Sequence, residues 1–132
     1  KLNYLNMASK LQIHKSRYTP TSTTDGTTWV TIAYYTLNSN ASFNIDRIWI
    51  VGKDASGNSA TASGSHQGKR VSGAVSVVGS LTSLVTMLTG SDAILNTSEY
   101  RINISGDDIQ LQVKGVAATT IEWFGGFEIK IH

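Results

Sequence analysis

The chain has no cysteine among its 132 residues, one proline, and charged residues at only 15%. Without cysteine there is neither a disulfide framework nor a thiolate metal site. Charge at 15% is well below the roughly 25% of an average soluble domain. The eleven Lys and Arg are scattered, only Lys69 and Arg70 being adjacent, and the net charge is +2. A nucleic-acid footprint needs cations clustered on one face, so no nucleic-acid partner is expected. Long apolar runs are missing too. The longest apolar-leaning stretch, Ala74–Leu88, is broken by Ser, Thr and Gly, so no membrane insertion is expected. No signal peptide is visible, and a start at Lys1 rather than Met suggests a trimmed or processed product or a piece of a longer chain.

What is present is strand pattern. Ile109, Leu111 and Val113 alternate with Gln110, Gln112 and Lys114; then Ile121, Trp123, Phe127, Ile129 and Ile131 alternate around Gly125-Gly126. Two period-2 segments joined by small residues read as paired strands with one face in a core, the second bent or bulged at the glycines. Trp29–Leu37 is rich in aromatic and β-branched residues and reads as a strand. Ser42–Lys53 reads as a long strand, with Phe43, Ile45, Trp49 and Val51 on one parity and Ile48 and Ile50 on the other. A strand apolar on both faces is central or covered by a neighbour. Leu11–Tyr18 reads as a first strand, His66–Val78 and Ser80–Leu88 as two more, and Asp54–Gly64 as a hairpin tip. Gly106, between Glu99–Ile104 and Ile109–Val113, suits the positive φ of a type II′ turn. Residues 1–10 read as an arm or a connection to an upstream segment.

About eight strands, with turn signals every 8–15 residues or so and no useful amphipathic helix, give an all-β fold. The expectation is one antiparallel, jelly-roll-like β-sandwich over residues 1–132. Val75–Leu88, apolar on both parities, fits either a central strand pair or a subunit interface.

Chemistry is thin. His14, His66 and His132 have no second His or carboxylate at metal-ligand spacing and read as structural or exposed. Asp54-Ala-Ser56-Gly-Asn58 offers alternating oxygens, but its glycine comes fourth rather than sixth and Ser65 stands where a calcium loop wants an acid, so it reads as a turn. No Ser lies in a nucleophile motif and no phosphate-binding glycine pattern occurs. Glycoside hydrolysis needs two carboxylates across a cleft; Glu99 and Glu122 are a pair that folding could bring together. Asn40, Asn96 and Asn103 each open an N-x-Ser/Thr tripeptide, relevant only in a eukaryotic secretory setting. The expectation is a non-enzymatic protein with no cofactor and no metal. Sugar binding fits better, since aromatic rings stack on the apolar faces of sugars. Candidate rings are Trp29, Tyr34, Tyr35, Trp49, Tyr18 and Tyr100, set against the core role that strand aromatics usually have. Trp29, opening a strand beside a Thr-rich loop, is the ring best placed for exposure, and Trp29, Tyr35 and Trp49 are the candidate receptor or glycan contacts. Trp123 shares the parity of Ile121 and reads as buried.

Three segments carry a family pattern: Thr23–Leu37 with its Thr-Thr-Asp entry, Arg47–Ala60 with Val51-Gly52-Lys53-Asp54, and Ile104–Trp123 with Val113, Gly115, Ala117, Thr120, Ile121 and Trp123. Over about Thr23–His132 the chain resembles the β-sandwich domains at the C-terminal ends of bacteriophage tail fibres, tailspikes and tail needles. These motifs are turns and core positions, so the resemblance implies a fold more directly than an activity. It implies a homotrimer on the virion exterior, touching other virion proteins and recognising a host cell-surface glycan or protein receptor. A capsid decoration protein and a carbohydrate-binding module are the alternatives. No receptor residue carries over, and Trp29 and Trp49 stand where the family has small residues.

Overall fold

The alternation in the sequence resolves into eleven strands and one 3-10 turn (Ala93–Leu95) among the described residues. The computed structural model describes residues 11–78, 85–86 and 91–132. The strands are β1 (Gln12–Lys15), β2 (Arg17–Tyr18), β3 (Thr21–Thr23), β4 (Trp29–Thr36), β5 (Ala41–Asp54), β6 (Ser59–Val71), β7 (Ala74–Val78), β8 (Val85–Thr86), β9 (Glu99–Ser105), β10 (Asp108–Lys114) and β11 (Ile121–Ile131). One sheet has the order β1-β11-β5-β6-β7, with β3 also on β11; the other has the order β2-β4-β10-β9-β8. Every strand pair is antiparallel. The fold is a β-sandwich, as the alternation implied. β11 lies between β1 and β5.

The apolar parity of each strand supplies the core. Ile109, Leu111 and Val113 of β10 face Ile121, Trp123, Ile129 and Ile131 of β11 across the sandwich, all buried. The terminal segments are not paired with each other as expected: β10 pairs with β4 and β9, whereas β11 pairs with β1, β3 and β5. Alternation fixes which face is buried but not which strand lies alongside. The glycine pair does not bulge β11 either, for inward parity runs unbroken from Ile121 to Ile131.

The extra residue belongs to β5. Against β11, Asp46 pairs with Glu128 and Trp49 with Gly126; against β6, Ile45 pairs with His66 and Ile48 with Gly64. Both neighbours thus spend two residues where β5 spends three, which defines a β-bulge. Arg47 sits in it at φ 50, with its N–H donated to Asp46 Oδ1 at 2.9 Å. One extra residue inverts the pleat. Phe43 and Ile45 point inward before the bulge; after it Ile48 and Ile50 point inward and Trp49 and Val51 outward. The double-sided apolar pattern therefore records a parity switch rather than a strand buried on both faces.

The three resemblance motifs meet around Trp123. Its buried indole Nε1 donates to Thr23 Oγ1 at 2.8 Å. Gly52 lies flat against the Trp123 ring, where a Cβ would stand 2.6 Å from Cε3, and Gly115 packs on the Thr23 side chain. Asp25 holds the entry turn by accepting from Thr27 N at 2.9 Å, Thr28 N at 2.8 Å and Thr28 Oγ1 at 2.9 Å. These motif residues build one junction of β3, β5 and β11.

Two further expectations change. The Leu11–Tyr18 strand divides at Ser16, with β1 on β11 and β2 crossing to β4. His66–Val78 is a hairpin, not one strand: Ser72 and Gly73 both take positive φ, 53 and 83, and turn β6 into β7. The 1–10 arm and most of Ser80–Leu88 lie outside the described residues. Of the proposed interface run, Val77 is buried and Val75 packs against the core.

Candidate functional site

The parity switch at Arg47 turns apolar residues of β5 outward. Trp49 is 48% exposed, Tyr18 49% and Phe124 40%, on a face where polar residues are the rule. Trp49 and Val51 leave β5 outward, opposite Gly126 and Phe124 of β11 respectively. Tyr18 stacks on Phe124 with ring centroids 6.0 Å apart. Tyr18 and Trp49 wall a groove of about 430 Å³, which has Gly125, Gly126 and Phe127 as its floor and Lys15, Ser16, Arg47 and Glu128 along its sides. Ligand pockets generally run from about 300 to 1,000 Å³, so the groove can seat a small ligand or one unit of a polymer.

The glycine pair makes room for this on both sides of the sheet. Gly125 faces inward, where a Cβ would stand 2.6 Å from Ile32 Cδ1. Gly126 faces outward under the indole, where a Cβ would stand 3.2 Å from Trp49 Nε1 and 3.1 Å from Ser16 Oγ. A side chain there would fill the groove.

The split of the first strand opens the floor. β1 pairs with Glu128–Ile131 and β3 with Ile121–Trp123, while the intervening β2 has left for the other sheet. Ser16 N donates to Phe127 O at 2.9 Å, and Phe127 N donates to Ser16 Oγ at 3.0 Å. The two-residue repeat of a strand aims the Gly125 N–H and C=O toward the same side. No described strand pairs with β11 there, which leaves a backbone donor and acceptor at the groove floor.

The rim is charged. The Arg47 side chain is 76% exposed, with Nε 3.9 Å from Glu128 Oε1. Lys130 Nζ contacts Asp46 Oδ2 at 3.2 Å. That hydrogen bond, followed by the one from Arg47 N, holds the Asp46 carboxyl below the usual aspartate value. An aromatic wall, an open backbone pair and charged groups are the elements that grip a sugar: the ring takes the C–H face, and the polar groups read hydroxyls and acids.

The other singled-out rings lie apart from the groove. Trp29 is on the outer face of the second sheet, half-buried, with Arg101 Cζ 4.3 Å and Lys114 Nζ 5.0 Å from its ring centroid, so cations already occupy its π system. Beside it runs a polar ladder in which Arg101 donates to Gln112 (2.8 Å) and Asn103 to Gln110 (2.9 Å). Tyr35, partly buried against the core, has its ring centroid 5.6 Å from that of His14. It lines a polar hollow with Lys15, Arg17 and Tyr34. Tyr100 is buried, its hydroxyl 3.4 Å from the Ser63 carbonyl, and burial pushes its phenol pKa up. Of Trp29, Tyr35 and Trp49, then, only Trp49 belongs to the groove. Phe124 was the missed signal, an apolar residue on the outward parity of Glu122 and Glu128.

Several acidic residues are engaged in structure. Asp54 accepts from Ser56 N (2.9 Å), Asn58 N (2.8 Å) and Asn58 Nδ2 (2.8 Å), which pins the hairpin tip. Glu99 pairs with Lys114 on the second sheet, so it does not meet Glu122, which lies on the outer parity of β11. Among the described residues, no three His, Asp or Glu gather in a metal-holding group.

No family model matches this chain, and no curated protein does. Among solved structures it is similar to the tailspike protein of Acinetobacter baumannii phage AM24, with a TM-score of 0.46 and 14% identity. That match covers 96% of this chain and 27% of the tailspike chain, so the chain spans about a quarter of the tailspike's length.

Proposed function

We propose that this chain is a non-enzymatic domain of a bacteriophage virion appendage that recognises a glycan on the host cell surface. The observation that carries the reading is Trp49, presented outward by the Arg47 bulge over a floor of two glycines, with Tyr18 as the opposite wall. The sequence resemblance over Thr23–His132 supports the appendage context. In this reading the domain sits on the virion exterior and assembles as a homotrimer beside other virion proteins. Leu11 and Ile13, both exposed at edge strand β1, supply apolar surface for a second copy. Three grooves on one particle combine modest affinities into avidity on a repetitive surface.

The test is binding of the chain to an array of bacterial surface polysaccharides, with light scattering at micromolar concentration for the assembly state. A trimer that binds a subset of the polysaccharides through Trp49 is the expected result. A trimer that binds none would favour capsid decoration, and a monomer that binds would favour a carbohydrate-binding module.

A further inference from the structure

Arg47 is a costly residue at its position. Among the described residues three non-glycine residues have positive φ; Ser72 and Ala118 lie in turns, whereas Arg47 lies within a strand. Glycine would hold φ 50 at less cost, so the arginine is not explained by the backbone. Its side chain stands at the groove rim, with Nε 3.9 Å from Glu128 Oε1, and its charge also helps hold the Asp46 carboxyl low. Its two terminal guanidinium nitrogens have no partner among the described residues. A planar fork left open in this way fits a carboxylate or phosphate with two parallel N–H donors. Lys15, exposed, lines the same groove, and Glu128 is the one carboxylate there, so the lining carries net positive charge. The neighbouring Asp46 and Lys130 offset each other.

We infer that the groove takes an anionic sugar unit, its ring stacked on Trp49 and its acidic group held by Arg47 with Lys15. This rests on the glycan reading of the groove and narrows it to acidic saccharides. The Gly125 N–H and C=O at the floor are placed for hydroxyls of the same unit, and Glu128 orients the guanidinium without saturating it.

The experiment uses the whole chain on polysaccharides that include neutral polymers, uronic- or sialic-acid polymers and phosphorylated polymers. The expected binders are acidic, and the carboxylated and phosphorylated arms identify which acid is read. Methyl-esterifying the carboxylates of a bound uronic-acid polymer, or raising salt, weakens binding. Arg47→Gly loses about tenfold or more in affinity, while its melting temperature stays the same or rises because the φ strain is relieved. A merely structural arginine would show the opposite, lower stability with binding intact. Neutral polymers bound through Trp49, with Arg47→Gly unchanged in affinity, would overturn the acidic assignment and leave the glycan reading standing. Binding that ignores both Trp49→Ala and Arg47→Gly, or no binding to any polymer, would remove both.

Discussion

Thr23→Val tests the junction that holds the groove's own strands in place. Thr23 and Trp123 are both buried, and their 2.8 Å hydrogen bond ties β3 to β11 across 100 residues of sequence. Valine keeps the shape but removes the acceptor, which leaves the indole N–H buried and unsatisfied. Such an orphan costs about 1–3 kcal/mol, and Gly115, packed on the Thr23 side chain, would pack likewise on the valine methyl that replaces the hydroxyl. At about 2.1 cal/mol/K of unfolding entropy per residue, a 2 kcal/mol loss lowers the melting temperature of 132 residues by about 7 °C. Calorimetry at pH 7 measures this directly. A Trp123→Phe partner variant and the double variant complete a cycle, in which the double variant should cost less than the sum of the singles. A fall below about 0.5 kcal/mol for Thr23→Val would refute the claim that this hydrogen bond anchors the junction.

Gly126→Ala, whose Cβ would stand 3.1 Å from Ser16 Oγ and 3.2 Å from Trp49 Nε1, needs only a small shift of two side chains, so polysaccharide binding should fall with little change in the thermal melt; retained affinity would show that the ligand lies elsewhere. Stability should decline in acid. Asp25, held low by Thr28 and Thr27 hydrogen bonds, Asp46 by Lys130 and Arg47, and Asp54 by Asn58 and Ser56 all sit below their ordinary value of 3.8. Their stabilisation is complete above pH 3.8 and is lost as pH falls through the lower folded values. Asp25→Asn should flatten that acid limb in a melting series. His66 adds an earlier step: burial lowers its pKa from 6.5, and its Nε2 is without a hydrogen-bond partner among the described residues. The unfolded chain therefore takes up a proton first, and stability decreases as pH drops below 6.5; His66→Gln should remove that step.

Much of this architecture was readable from residue types. The alternation of Ile109–Val113 and Ile121–Ile131 correctly marked the inward faces, Trp123 included. Gly106 takes φ 60 in the turn between β9 and β10. What was not readable depends on partners rather than on local pattern. A period-2 run does not say which sheet it joins, so β10 and β11 read as neighbours. His66–Val78 read as one strand because its polar and apolar residues alternate loosely, and the turn at Ser72-Gly73 rests on two positive φ values. The bulge at Arg47 left no compositional mark, because arginine is an unusual choice for positive φ; without it, Trp49 counted with Phe43 and Ile45 instead of standing outside. Trp29 sits beside a Thr-rich loop, which suggested exposure. Its half-buried state comes from Arg101 and Lys114, cations on strands distant in sequence.

The central claim is that Trp49 is a ligand platform. Calorimetric titration of wild type and Trp49→Ala with a bound surface polysaccharide tests it most directly, with melting temperatures measured on the same samples. Because Trp49 is nearly half exposed and faces away from the core, its truncation should leave the melt nearly unchanged. Affinity should fall by about tenfold or more, as for an aromatic residue at the centre of a contact. Equal affinity in the two proteins, with both folded, would contradict the account.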